Sequence, residues 1–578
     1  MKNWAAGLGL ATMAALASPQ AFAASYYLSD CQTGAAAGCV SGNDGADGRT
    51  AAAPRRNVSA LPALVAGDTV YFAKGGGWTF SSAGWGATFA KDSYVSGISA
   101  GTYQAGAAVI TYTSYQAAWC SSGACLTQRP VLNAALNAGL VGFTNGGLSR
   151  HKEGATMRGL ELRAGAGSTS IYTAGIGIYN DSDYLVFDDM EISGFGMGIS
   201  IQGINTTETP GTDSDGYNDH ITIKNSYIHN NLTQGFLGFA NDLLIENNTF
   251  DRNGGAGVPS NGDHNVYLAG NPGCCSGPYT QGKRAVVRGN TLTRSSLVGG
   301  VCTGVSLTLH NTWTDVVIEN NTIDETGTEG GGCYGIDIVA ADVGPERLTN
   351  IAVRGNRVIN AGNIGIGMGS CINCTVENNV VVFLTARTDA SGIVLPSKPK
   401  ETDDAAQQAV IVRNNSIYIA NGNANTVGIQ LDTYGTNHKV TSNLIYFGAG
   451  SVAGHRCFKA GPLSMFDAFD SNLCYDASPF YRWSPTYPTL ATAQAAGFDA
   501  RGLSVNPLFT AAPGAGNGYS MALSANSPAI GAGNPTASAL QDFSGRVRGA
   551  RPDIGASQFG STATTTVPPS APTGVMAR

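Results

Sequence analysis

Between Met157 and Ile445 the chain repeats one short order of apolar and polar positions: an aliphatic residue, three positions later usually Asn, and two further on another apolar residue. The instances read ITIKNSYI, IENNTF, VRGNTL, IENNTI, VRGNRV, VENNVV, VRNNSI and VTSNLI. They begin at Ile223, Ile245, Val287, Ile318, Val353, Val376, Val412 and Val440, with weaker copies at Met157 and Phe187. The spacing runs from 22 residues (Ile223 to Ile245) to 42 (Ile245 to Val287). A fixed pattern at an elastic interval predicts a constant strand and turn unit joined by variable loops.

A second short strand follows in most repeats, as GISIQ, NVYLA, GVSLT, GIDIV, GIGMG, GIVLP and GIQLD. Alternation places Ile199, Val266, Val305, Ile336, Ile366, Ile393 and Ile429 inside and their neighbours outside. Asn248, Asn290, Asn321, Asn356, Asn379, Asn415 and Asn443 share one column. In stacked coils about 4.8 Å apart their amides would bond one another as a ladder. The leucine framework of a horseshoe is missing, and a propeller would need four strands per repeat. The repeat resembles that of right-handed parallel β-helix proteins, the pectate-lyase-like superfamily, which implies an all-β solenoid.

Both flanks resemble the same group. The segment from Leu64 to Phe72, with ITYTSY and PVLNA after it, is similar to the opening of secreted β-helix proteins. Asn506-Pro507-Leu508-Phe509, Ser527-Pro528-Ala529-Ile530 and Asp553-Ile554-Gly555-Ala556 resemble their closing coils. The organisation expected is a signal peptide over 1–23, an N-terminal cap with the first coils over 24–156, and repeats over 157–450. C-terminal coils with a closing segment follow over 451–560, and a Thr/Pro-rich tail over 561–578.

Composition narrows the class. With 33 Lys+Arg against 40 Asp+Glu and a net charge of -7, nucleic-acid binding by bulk charge is excluded. Beyond the N-terminus no apolar run is long enough to span a membrane. Lys2, the apolar stretch Ala5 to Ala17 and Ala21-Phe22-Ala23 read as a secretory signal cleaved near Ala23, so a secreted or periplasmic protein is expected. In an exported chain the 12 cysteines point to disulfides, although connectivity does not follow from sequence. Cys31 and Cys39, Cys120 and Cys125, Cys371 and Cys374, and Cys457 and Cys474 are close in sequence. Cys302 and Cys333 each stand two residues before the glycine of a second strand and would stack within disulfide reach if those coils are adjacent. That leaves Cys274 and Cys275, adjacent in sequence, for a vicinal bridge or free thiols.

Secreted members of the resembled superfamily mostly cut, epimerise or bind acidic polysaccharides on an outward strand face beside long loops. The longest interval here contains Asp263-His264-Asn265-Val266-Tyr267, which shares its Asp and His with the Asp-Pro-His-Asp of alginate epimerases of this fold. Breaking a uronate by β-elimination requires a neutralised carboxylate, removal of the C5 proton and protonation of the leaving oxygen. The expected acid-base groups are Tyr267 with His264 or His310, and Arg294 would meet the carboxylate. Alternation sets Ser306 beside Tyr267 one coil on and Asp337 two coils on, as substrate-binding groups. Lys398, in Ser397-Lys398-Pro399-Lys400, is a further candidate, read alternatively as a solvated loop.

Asp213, Asp215 and Asp219 cluster about a glycine and offer oxygen ligands of the kind Ca²⁺ takes, though not at EF-hand spacing, and a polar turn is the other reading. The expectation is therefore a monomeric exported polysaccharide lyase, with Ca²⁺ as its one candidate cofactor, acting on an acidic polysaccharide. The alternatives are a non-catalytic glycan-binding β-helix protein, and a C5-epimerase or hydrolase of the same fold.

Overall fold

The computed structural model describes residues 23–62, 64, 67–80, 109–144, 154–179, 182–202, 217–255, 262–269, 281–338, 346–387, 389–395, 404, 406–431, 435–475 and 486–560. The proposed signal peptide, Cys274, Cys275 and the tail from Ser561 lie outside these residues.

Three long parallel sheets of 14, 13 and 11 strands run the length of the molecule. From Ile110 to Ala460 each coil gives one strand to each sheet, then moves on to pair with the next coil. The first residues of the sequence repeat form a single column in the first sheet: Met157 pairs with Phe187, Phe187 with Ile223, and so on through Val412 and Val440. All are buried, and with Leu162, Ile192 and Ile228 of the second sheet they fill the solenoid's interior. The elastic spacing is absorbed between strands, so the coil itself stays constant.

The turn from first to second sheet explains the Asn-Asn and Gly-Asn dipeptides. The residue before each ladder position is left-handed, with φ of 55° at Asn247, 65° at Gly289, 56° at Asn320 and 54° at Asn378. Asn and Gly enter that region at least cost. The next Asn turns its side chain inward. Asn290 Nδ2 donates to Asn321 Oδ1 at 3.0 Å and to the Ile245 carbonyl at 2.9 Å, and Asn321, Asn356, Asn379 and Asn415 repeat the arrangement. The ladder is longer than the sequence repeat. It begins at Ser226, which donates its amide to Asn248, and runs through Asn443 and Asn472 to end on buried Asp499.

A second ladder lies in the turn from second to third sheet. Asn231 donates to Asn253 Oδ1 at 2.9 Å, Asn253 to Asn265 Oδ1 at 2.9 Å, the Asn265 amide to Ser295 Oγ at 3.2 Å, and the Ser295 amide to Glu325 at 3.0 Å. Beside Glu325 the Cys302–Cys333 disulfide joins consecutive coils with Cα atoms 5.2 Å apart. The four sequence-close cysteine pairs are also bonded.

The last strands, Arg456–Ala460, Phe466–Asp470 and Leu473–Tyr475, complete the stack. Leu503 adds one parallel bridge to Leu473. The closing segment then leaves the stack, where further coils were expected. Met521, Leu523, Ala529, Ile554 and Ala556 fold back against Val380, Val382 and Leu444 on the outer face of the second sheet, forming a second small core. Arg548 fastens this segment by donating to the Asn378 side chain and to the carbonyls of Gly555 and Ala556. Among the described residues no helix is long and apolar enough to cross a membrane.

Candidate functional site on the third sheet

The third sheet carries the candidate residues, and its strands do not alternate strictly. In each, the second residue sits inward beside the third. Most coils place Gly there, because a side chain has no room: a Cβ on Gly198 would lie 2.6 Å from Ile228 Cγ2. Within the stack two coils break the run, and the last strand of this sheet carries Cys457 there. The strands His264–Ala269 and Val305–His310 carry Asn265 and Ser306 at that place, paired in the stack between the coils of Gly235 and Gly335.

This local bulge corrects two expectations. Val305 lies in register with His264 and Tyr334, and Leu307 takes the core place beside Val266. Ser306 is not beside Tyr267 on the outer face. It is fully buried and donates to Glu325 Oε1 at 2.7 Å. Thr308 is the residue beside Tyr267, and Asp337 follows Thr308, so Asp337 stands two coils from Tyr267 as expected.

On the outer face, Tyr267 stands between two histidines. Its ring centroid is 4.9 Å from that of His264 and 5.3 Å from that of His310, edge to face in both cases. Both histidines are buried and Tyr267 is partly exposed, so the phenol is the member of the row that a ligand reaches first. Gln234, in the preceding coil, fixes the entry of His264: its Oε1 accepts the His264 amide at 2.7 Å, and its Nε2 donates to Gly262 at 2.8 Å.

The backbone supports either state of His264. Nδ1 lies 3.3 Å from the Val305 amide nitrogen and 3.2 Å from the Val305 carbonyl. Unprotonated, it accepts from the amide; protonated, it donates to the carbonyl, and the ring need not move. Thr308 Oγ1 donates to the Asp337 carbonyl at 3.0 Å, so it accepts from His310 Nε2, 3.1 Å away.

Arg294 is not in this row. Its guanidinium makes a bidentate pair with Asp251, at 2.7 and 2.6 Å, and Asp251 also accepts from Tyr227 on the outer face of the second sheet. Asp263 is buried, which raises its carboxyl above the usual range, and it accepts from the Gly255 amide. Near the far end of the row, Glu346 accepts from the Asn311 amide at 3.0 Å, and Asp404 accepts from the Glu346 amide at 3.1 Å.

Beneath the row, Glu325 accepts from Ser295, Ser306 and Thr328. Burial outweighs these bonds and pushes its carboxyl up to about 7. Asn265, Ser306 and Glu325 were missed as supporting residues. Their trace in the sequence is the gap in the column Gly175, Gly198, Gly235, Asn265, Ser306, Gly335, Gly365.

Among the described residues one group of three potential metal ligands converges, Cys302, Glu325 and Cys333, and its sulfurs are joined to each other. Of the Ca²⁺ candidates, Asp219 bridges to Asn241 and its amide donates to Asp183, while Asp213 and Asp215 lie outside the described residues, as does Lys398.

No curated protein matches the chain. Among solved structures it is similar to a pectate lyase, at 13% identity over 93% of this chain and 96% of that one with a TM-score of 0.39. It is likewise similar to the Dettilon tailspike protein, at 13% identity over 76% and 70% with a TM-score of 0.43. A rhamnogalacturonan lyase overlaps at 14% identity over 78% and 87% with a TM-score of 0.36. Overlaps of this size say nothing of activity. Residues 153–342 match the family described as the right handed beta helix region. The same three sheets extend to either side of that span, and the chain folds as a right-handed parallel β-helix.

Proposed function

We propose that this is an exported enzyme that cleaves a uronate-containing polysaccharide by β-elimination on the outer face of the third sheet. The observation that carries the reading is Tyr267 held edge to face between His264 and His310. The phenol and one imidazole supply the two proton transfers that elimination needs, removal at C5 and delivery to the leaving oxygen. The backbone bonds of His264 allow its ring to change protonation in place, as a proton acceptor that turns over must.

With Arg294 engaged by Asp251, the substrate carboxylate needs another counter-charge, so Ca²⁺ enters as a variable to be tested. The five disulfides suit an oxidising compartment, which supports export.

A hydrolase is the second reading, favoured by Asp337 in the column of Tyr267. A carboxyl there could act as general acid or base on a glycosidic bond. The test incubates the protein with pectate, alginate, glycosaminoglycans and bacterial exopolysaccharides, with and without Ca²⁺, and follows both unsaturated-uronate absorbance and new reducing ends. Rising absorbance supports elimination. Reducing ends without absorbance support hydrolysis, and neither signal moves the reading to a glycan-binding protein.

A further inference from the structure

The closing segment does more than cover the second sheet. Where it crosses the coil of Arg357–Ile359 it encloses a cavity of about 260 Å³. Arg357 forms part of the floor on the sheet side, and Met521, Leu523, Phe543, Arg546 and Phe559 line the other walls. This lies on a different sheet from the row around Tyr267.

Arg357 is unlike the arginines around it. Arg354 pairs with Glu319, Arg413 with Glu377, and Arg548 is bound by carbonyls. Among the described residues the Arg357 guanidinium has neither an acid partner nor a hydrogen bond, and its Nε is buried. The guanidinium lies over the ring of Phe543, 5.0 Å from the centroid. Burial lowers its pKa.

In half-buried Arg357 it is Nε that is withdrawn from water without a hydrogen bond, which is costly unless something else completes it. The carboxylate in the lining, Asp542, is otherwise committed. It accepts the amides of Ser544 and Arg546 at 2.9 Å each and that of Gln558 at 3.0 Å, which holds the loop in place.

We infer that this cavity is a binding site for the carboxylate of a single uronate residue, separate from the third-sheet face. The Arg357 fork matches a planar carboxylate in two parallel bonds. Phe543 and Phe559 offer apolar faces of the kind a sugar ring packs against, beside Met521 and Leu523. The volume is below the range of about 300–1,000 Å³ for drug-sized ligands and suits one sugar ring rather than a chain. The site would hold a chain end or a released monosaccharide, and it does not depend on the Tyr267 row being catalytic.

The test is calorimetric titration of the full protein with galacturonate, glucuronate, neutral galactose and acetate. Binding of a uronate, with galactose and acetate each weaker by about tenfold or more, is the expected result. Arg357→Gln should abolish that binding event while leaving action on polymer intact, and Arg357→Lys should weaken it by about tenfold, since the charge stays and the fork is lost. Tyr267→Phe should bind the monosaccharide as the parent does. Uronate binding that survives Arg357→Gln overturns the inference, as does no uronate binding by the parent. Acetate binding as tightly as uronate overturns the assignment to a sugar. Should Arg357→Gln fail to fold, Arg357→Lys and the parent's ligand ranking still decide.

Discussion

Tyr267 is partly exposed while both neighbouring histidines are buried, so the three should respond differently to substitution. His264→Gln removes the proton acceptor that the Val305 backbone supports in both states, and His310→Gln removes the one whose Nε2 is held by Thr308. Whichever histidine is the acceptor, its loss should lower kcat about 100-fold or more and abolish the limb of the pH-rate profile that it controls. The other substitution should shift the profile without abolishing a limb. Rates across pH on the substrate found by the polymer screen separate the two.

The outward course of Tyr267 and the place of Asp337 two coils away were legible, because alternation holds from the third residue of each strand onward. Ser306 and Val305 were misread because the bulge at the second residue puts two consecutive positions inward, and alternation carries no sign of it. Arg294 was misread because its partner, Asp251, is 43 residues away in sequence and meets it only through coil stacking.

At the scale of the element, the ladders decide whether a coil closes. Asn321 accepts from the Asn290 amide and Nδ2, and donates to Asn356 Oδ1 and the Val287 carbonyl. Asn321→Leu strands buried partners on both sides and should cost about 3 kcal/mol or more in urea denaturation, whereas exposed Asn425→Ala should cost under about 1 kcal/mol.

The Cys302–Cys333 bridge closes a loop of 31 residues, and Cys302→Ser with Cys333→Ser should cost about 3 kcal/mol in the same measurement. The asparagine ladder was legible because one residue type recurs in one column. The second ladder was not, since its members differ in type and only Asn231, Asn253 and Ser295 stand eight residues after a repeat start, while Asn265 and Glu325 do not.

For the whole molecule, two buried carboxyls lead the response to pH, and Asp263 and Glu161, also raised by burial, act in the same direction. Glu325 is pushed from 4.5 to about 7, and Asp499, at the end of the asparagine ladder, from 3.8 to about 7, both by burial. The folded state therefore holds these protons more tightly than the unfolded chain. The stability this confers is fully present below the unfolded values and is lost as pH rises through about 7. His229, lowered by burial, is raised on balance by its bonds to Glu191 and Asn230 and acts in the same direction. Asp188 and Asp470 are lowered and lose their contribution only in acid, below this window. The thermal midpoint should thus fall by several degrees between pH 5.5 and 8, and Glu325→Gln should flatten the fall. A midpoint that rises across that range would contradict the assignment.

Proton transfer by Tyr267 on the outer third-sheet face is what the proposed uronate elimination stands on. The most direct measurement is absorbance at the unsaturated-uronate band on the polymer that responds in the screen, with the parent protein and Tyr267→Phe side by side at matched thermal stability. A steady rise is expected for the parent and a rate lower by about 100-fold or more for the variant. Equal rates, or no rise on any uronate polymer with or without Ca²⁺, would contradict it.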